Sequence, residues 1–192
     1  MKQFFLLVFS FVFATSVFAQ TWNLDRSHSG VKFSVSHMVI TDVDGSFKEF
    51  EVNATPNSKG ELEKVEATIK VESIDTENKD RDNHLRSADF FDAANHPEIK
   101  FVSTKIEKKG KNGVKIYGDL TMRGVTKKVV LDGKFNGQVK DPWGNTKVGY
   151  TATTTVNRFD YGLQWNKAIE TGALVVGKDV KITLNAQFVV KS

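Results

Sequence analysis

The amino-acid sequence predicts an all-β domain, an eight-stranded antiparallel barrel with a short helical segment and a long loop covering one end. Three observations predict it. Apolar and polar residues alternate with period two through most of the chain, turn-forming residues separate the alternating runs, and only two connections between runs are long. Eight antiparallel strands either close into a barrel or stack as a sandwich. Closure removes the unpaired edges that a long sheet would present, which favours the barrel.

The first stretch is not part of that pattern. Lys2, an apolar block from Phe4 to Phe13 and the closing Val17-Phe18-Ala19 form the arrangement of an export signal with a small residue at the cleavage position. The apolar run is too short and wrongly flanked for a membrane-spanning helix. Residues 1–19 are therefore expected to be removed. Removing 19 of the 192 residues leaves a single mature domain of 173, residues 20–192, with the periplasm as its expected location and secretion as the alternative.

Composition sets further limits. The formal net charge of +4 includes Lys2, the only charged residue of the signal, so the mature chain carries +3 and no strong charge steering. No basic surface interleaved with aromatic residues suggests nucleic-acid binding. The chain has no cysteine, which excludes disulfides, thiol catalysis and a cysteine-linked lipid anchor. A chain of this length buries roughly 70% of the surface it exposes when unfolded, so its core can suffice.

The strands follow in order as Gly30 to Ile40, Gly45 to Ala54, Glu63 to Glu72, Ile99 to Glu107, Val114 to Met122, Lys128 to Val139, Lys147 to Asn157 and Lys178 to Val190. In the first, Val31, Phe33 and Val35 alternate with Lys32, Ser34 and Ser36. Val65, Ala67, Ile69 and Val71 do the same in the third, and Val114, Ile116, Leu120 and Met122 in the fifth. The last strand alternates most regularly. Val180, Ile182, Leu184, Ala186, Phe188 and Val190 share one face, and Lys181, Thr183, Asn185 and Gln187 the other. On this register Leu184 is expected to be fully buried, so that Leu184→Ala would cost about 2 to 5 kcal/mol.

Short turns are expected at Pro56 to Gly60, Lys109 to Gly113, Arg123-Gly124 and Asp141 to Asn145. The long connections are Ser73 to Glu98 and Arg158 to Gly177. The first contains DRDNHLRSADFFDAANHPEIKF, in which Leu85 and Phe90, with Ala88 and Ala93, suit a short helical cap turned inward. Asp82, Arg86 and Asp89 are expected to stay in water. Pro97 holds His96 extended, so the helical part ends before it. Such a cap is either a lid or a packed plug. The small residues of VGYTATTT, from Val148 to Thr155, leave room inside a barrel wide enough for one small ligand.

Catalytic signatures are weak. The four histidines, at 28, 37, 84 and 96, lack the close spacing of a zinc site. His28 and Ser29 adjoin Asp25, yet the chain has no nucleophile elbow. Asp25 and Ser27 suit a turn before the first long strand. The expectation is a protein that is not an enzyme and uses no metal or cofactor.

Several motifs in order resemble the YceI-like family of exported, lipocalin-like proteins: DRSHSGVKFSVSHM with GSFKEF, RDNHLRSADFFDAANHPEIKF, GDLTMRGVTKKVVL, DPWGN, VGYTATTTVNRFDYGLQWN and VGKDVKITL. They cover essentially the whole mature chain. Departures are Phe159, where a polar residue is frequent, and Lys128, in place of a common proline. The resemblance implies a barrel whose interior accepts a long isoprenoid chain, with a polar head such as a quinone or a diphosphate near the mouth. It makes Phe33, Val35, Ile69, Leu85, Phe90, Phe91, Leu120, Met122, Tyr150, Phe159, Tyr161 and Trp165 candidate ligand contacts. Arg81, His84, Arg86 and Arg158 are candidates for the head group, because such a head needs donors. The expected partner is therefore an isoprenoid or similar amphiphile, with the membrane only as its source and a homodimer as one possible assembly. Two rival readings accompany this carrier: an exported interaction or stress-related barrel with a filled core, and a lipid-modifying enzyme.

Overall fold

The structure, a computed structural model, describes residues 21–167 and 174–191. The expected export segment and its cleavage point lie outside the described residues. Eleven strands form one continuous antiparallel sheet: β1 Thr21–Leu24, β2 Gly30–His37, β3 Thr41–Phe47, β4 Phe50–Pro56, β5 Leu62–Lys70, β6 Ile74–Asp75, β7 Glu98–Lys109, β8 Gly113–Met122, β9 Val125–Lys140, β10 Thr146–Asn157 and β11 Val176–Lys191. The single α-helix described is α1, Lys79–Arg86.

The expected eight-stranded barrel is present, with three of its staves interrupted. The sheet closes because β11 pairs along one edge with β10 and along the other with β2 and then β1. β1 and β2 thus form one stave, broken by a 3₁₀ turn at Arg26–His28. β3 and β4 form the next, broken at Lys48-Glu49, and β5 continues past its own break into β6. The remaining staves are single strands, ordered β7, β8, β9, β10 and β11.

The boundaries differ from expectation at the β2–β3 hairpin. The first strand ends at His37 rather than Ile40, and the second begins at Thr41 rather than Gly45. Met38 and Val39 between them have φ of 50° and 65°, and Ile40 N–H donates to the His37 carbonyl. Two positive φ values in a row make a tight hairpin turn that normally calls for Asn or Gly and is costly for β-branched valine. The turn carries no sequence signal for that reason.

At one end of the barrel lie the β2–β3 turn, the β8–β9 turn, α1 and the residues after β10; this is the lid end. At the other lie the β4–β5, β7–β8 and β9–β10 turns; this is the hairpin end. The interior near the hairpin end is filled by Trp22, Ala54, Val148 and Phe188, with Trp22 5.7 Å from Phe188 and 5.9 Å from Tyr150 between ring centroids. Towards the lid end a larger apolar cluster includes Phe47, Phe50, Val71, Ile74, Ile99, Tyr161 and Leu163.

The alternation is correct but the packing expected for Leu184 is not. Leu184 points inward and is only half-buried, because part of its side chain packs on the apolar cluster and part borders the cavity. Phe188, four residues along the same face, is 2% exposed. The expected cost of truncation moves with it. Phe188→Ala should destabilise by about 3 to 5 kcal/mol and Leu184→Ala by less than about 2, since a cavity already present adds no new void. Urea unfolding of the two variants checks the order. Equal losses would mean that Leu184 is packed.

Asp25 fixes the break between β1 and β2. Its carboxylate accepts from Lys147 Nζ at 2.8 Å, Ser27 Oγ at 2.6 Å and Gln187 Nε2 at 3.1 Å, tying the stave to β10 and β11. The Lys147 ammonium, then Ser27, hold this carboxyl well below the ordinary carboxylate range. A folded pKa below the unfolded one contributes stability that is present above about pH 4 and lost as pH falls further. Asp25→Asn should cost about 1.5 to 3 kcal/mol at pH 7, as for hydrogen bonds to a charged group. The gap between wild type and variant should shrink in urea titrations run below pH 4, and a gap that persists there would refute the assignment.

Candidate functional site

The inward faces of the staves enclose a cavity of about 200 Å³. A void needs only about 10 to 15 Å³ by the same measure to admit one water, so this interior is not a filled core. Its wall is built from alternate residues of nearly every stave. Val31, Phe33 and Val35 come from β2, Val65, Ala67 and Ile69 from β5, Leu120 and Met122 from β8, and Val180, Ile182 and Leu184 from β11. Period-two patterning puts an apolar side chain at each inward position, so the wall is apolar without any special motif. Gly45 contributes by having no side chain: a Cβ there would lie 2.3 Å from the Phe33 ring, which lies against β3 at that point.

Leu85, Phe90, Phe91 and Leu163 roof the cavity at the lid end. Helix α1 is capped at Asn78, whose side chain accepts from the Arg81 N–H at 3.0 Å, and it ends at Arg86, so that Ala88, Phe90 and Ala93 lie in the turns after it rather than in the expected helical cap. Its outer face is less wet than expected. Asp82 is buried at 7% exposure and accepts from the Thr76 N–H at 2.9 Å and the Thr76 hydroxyl at 2.6 Å, which fastens the helix to the strand before it. Arg86 is half-buried and donates to the carbonyls of Glu72 and Ile74, each at 2.9 Å. Both residues that pattern alone places in water are thus drawn into the lid by backbone groups needing partners. Asp89 is exposed, as expected.

The two long connections meet over the cavity. Trp165 lies 5.2 Å from Phe90 and 5.0 Å from His84 between ring centroids. Arg123, in the β8–β9 turn, donates to the carbonyls of Gly162 and Ala88 and so joins both segments. Arg158 is the central fastening. It is 4% exposed, and its guanidinium donates to the carbonyls of Leu163 at 2.5 Å, Trp165 and Gly177 at 2.9 Å and Val176 at 3.0 Å. Among the described residues no carboxylate pairs with it. Burial pulls its pKa down from the usual arginine range, yet a guanidinium stays charged there. The guanidinium lies over the Phe159 ring, with Cζ 4.6 Å from the centroid, where the electron-rich face attracts it.

Nine of the twelve residues expected to touch a ligand line the cavity: Phe33, Val35, Ile69, Leu85, Phe90, Phe91, Leu120, Met122 and Tyr150. The other three stand behind the wall. Phe159 packs on Arg158, Trp165 covers Phe90 from outside, and Tyr161 is buried at 2% exposure with its hydroxyl unpaired among the described residues. That burial pushes the Tyr161 pKa up to about 12. Of the four head-group candidates only Arg158 reaches the lining. Arg81 donates to the Thr76 hydroxyl and carbonyl, Arg86 is held as described, and His84 contacts Asp89 at 3.0 Å. Leu163, one of the apolar residues expected in the second long connection, also lines the cavity, as does Val176, which sequence reasoning did not single out because a register shift separates it from Val180 and the regular part of β11.

The catalytic alternative gains no geometry. The Ser29 hydroxyl donates to the Asp25 carbonyl at 2.7 Å, while His28 Nδ1 meets Ser27 Oγ at 3.0 Å and Asp25 Oδ2 at 3.1 Å, so the ring is not placed to relay a proton between Ser29 and Asp25. His28 is exposed, Asp25 and Ser29 are half-buried, and none of the three lines the cavity.

A family model described as YceI-like domain matches residues 22–188. A UPF0312 protein of Staphylococcus epidermidis is 40% identical over 170 residues, covering 87% of this chain and 96% of the relative. The crystal structure of a Campylobacter jejuni YceI protein superposes with a TM-score of 0.71 at 31% identity, over 88% of this chain and 98% of that one. A polyisoprenoid binding domain from Saccharophagus degradans shares the fold, with a TM-score of 0.65 at 14% identity, over 89% of this chain and 99% of that domain.

Proposed function

This chain belongs to the YceI-like family, and from that premise we propose that its barrel takes up the tail of a long-chain isoprenoid or similar amphiphilic lipid and carries or sequesters it outside the cytoplasm. The observation that carries this reading is the apolar void itself. Inward residues such as Phe33, Ile69, Ile182 and Leu184 are half-buried although they face the barrel axis. A cavity walled by apolar side chains offers an apolar tail the dispersion contacts that the wall residues do not make with one another, as a site for such a tail requires. Each buried CH₂ of a tail returns about 0.8 kcal/mol, or about 4 kcal/mol for a five-carbon unit. The Saccharophagus domain of the same fold is named for binding polyisoprenoids, which agrees with this chemistry.

Orientation follows from polarity. The hairpin end is closed by Trp22, Tyr150 and Phe188, whereas Arg158 brings a buried positive charge to the lid end of the wall. The tail end then lies towards Trp22, and an electron-rich head lies near Arg158. Two tryptophans report on the two ends, since Trp22 packs on Tyr150 and Trp165 on Phe90. Adding a polyprenyl phosphate or a quinone to delipidated protein should change tryptophan emission, and native mass spectrometry after gentle purification should show a lipid adduct. Apoprotein mass alone, together with unchanged emission, would sink the carrier and leave the interaction barrel.

A further inference from the structure

The hairpin end carries an exposed apolar tip that the cavity does not use. Trp143 is 84% exposed and Val139 64%, both on the β9–β10 hairpin. The turn holding Trp143 is rigid. Asp141 Oδ1 accepts from the Trp143 N–H at 3.0 Å and the Asn145 N–H at 2.8 Å, and the Asp141 N–H donates to the Asn145 carbonyl at 2.9 Å. Gly144, at φ 86°, completes the reversal. The hairpin also stands proud of its neighbour, because pairing of β9 with β8 stops at Lys134 while β9 continues to Lys140. These three turn hydrogen bonds hold an indole out in water, although an exposed indole gains nothing from packing.

Charge around the tip is mainly positive, with the exposed Glu63 at the start of β5 as an unpaired acid among the described residues. Lys59 in the β4–β5 turn, Lys111 in the β7–β8 turn, and Lys134 and Lys140 on β9 are all exposed at this end. None of the four has an ion-pair partner among the described residues, whereas Lys108 and Lys109 are paired with Glu61 and Glu107. The acid at the tip, Asp141, is turned into its own loop. The contrast with the lid end is direct. Its exposed Val39 and Ile40 are flanked on β3 by the exposed Asp42 and Asp44, so that tip lacks the positive frame.

We infer that the hairpin end docks on an anionic phospholipid bilayer, with Trp143 and Val139 seated among the head groups and Lys59, Lys111, Lys134 and Lys140 against the phosphates. An indole is suited to the bilayer interface because its ring is apolar and its N–H polar, and each lysine near an anionic surface strengthens partition about fivefold. Docking needs no ligand in the barrel, so it goes beyond the carrier reading and can fail separately from it.

The test mixes the full mature chain with vesicles of phosphatidylglycerol and of phosphatidylcholine, reading cosedimentation and the blue shift of tryptophan emission. Phosphatidylglycerol vesicles should retain the wild type at low salt, and retention should fall as salt shortens the Debye length. Trp143→Ser, and separately Lys111→Glu with Lys140→Glu, should weaken partition at least about tenfold. These positions are exposed, so circular-dichroism melts should match the wild type. Val39→Ser with Ile40→Ser should leave partition unchanged. No retention of the wild type at low salt, full retention of Trp143→Ser, or loss in the Val39/Ile40 variant would each overturn the inference. A protein that binds isoprenoid but ignores both vesicles overturns docking alone, and one that binds vesicles but takes up no isoprenoid overturns the carrier alone.

Discussion

Arg158→Leu should destabilise the protein by about 3 to 5 kcal/mol, the largest single-residue effect expected outside the apolar core. The variant removes donors from four carbonyls, those of Leu163, Trp165, Val176 and Gly177. A buried carbonyl left without a partner costs about 1 to 3 kcal/mol, so the sum would be larger if the lid stayed in place. Relief from burying the guanidinium offsets part of it. Arg158→Lys should recover little, because an ammonium on a single stem cannot span four acceptors in a planar fork. Urea unfolding measures the loss, and hydrogen exchange at Val175 and Val176 should rise in the variant because the lid segment loses its anchor. A loss under about 1 kcal/mol, with unchanged exchange, would show that the lid is held by its aromatic contacts instead.

Leu184→Trp should abolish isoprenoid binding while leaving the fold intact. Leu184 sits opposite Val31 on β2 and Ala152 on β10, and it faces the void. An indole there occupies space that the tail would take. Excluding even one five-carbon unit forgoes about 4 kcal/mol, roughly a thousandfold in affinity. The same change at Leu120 serves less well. Leu120 is 7% exposed and packed, so Leu120→Trp should overpack and cost about 1 to 3 kcal/mol or more. Thermal unfolding read beside isoprenoid titration separates the cases. Retained binding in Leu184→Trp would place the tail elsewhere, and a large stability loss at Leu184 would mean that the void is not available.

The difference between these two leucines shows what alternation can and cannot reveal. Period two assigned both to the inner face, and both are there. It could not say that one is almost wholly covered by neighbours while the other leaves much of its surface open to the cavity, because cavity shape depends on how eight staves taper together. The wall of the site was therefore legible in the sequence and its volume was not. The lid was legible in outline through Leu85, Phe90, Phe91 and Pro97. Its electrostatics were not, since Asp82 and Arg86 read as wet by pattern yet satisfy backbone groups that only the folded connection brings near. The Met38-Val39 turn lacks the usual turn residues, and the breaks within three staves carry no glycine or proline punctuation. Those features arise from long-range pairing, and a local pattern contains no trace of them.

The seam that closes the ring has a consequence for how the molecule comes to exist. Thr21–Leu24 pairs with Phe188–Lys191 and meets β4 only at Trp22 and Ala54, so the first strand finds its main partner in the last. A chain emerging amino-terminus first can pair β2 with β3, β4 with β5 and β7 with β8 as each is completed, but its circumference stays open until β11 is free. Closing so long a loop costs entropy before any seam contact returns it, which slows folding. Until then β1 and β2 present unpaired edges beside exposed apolar inner faces, the combination that promotes association between chains. Deleting the last four β11 residues should leave every internal hairpin possible and still deprive the barrel of closure. The vulnerable interval in this protein's life is thus the time between the appearance of its first strand and the arrival of its last.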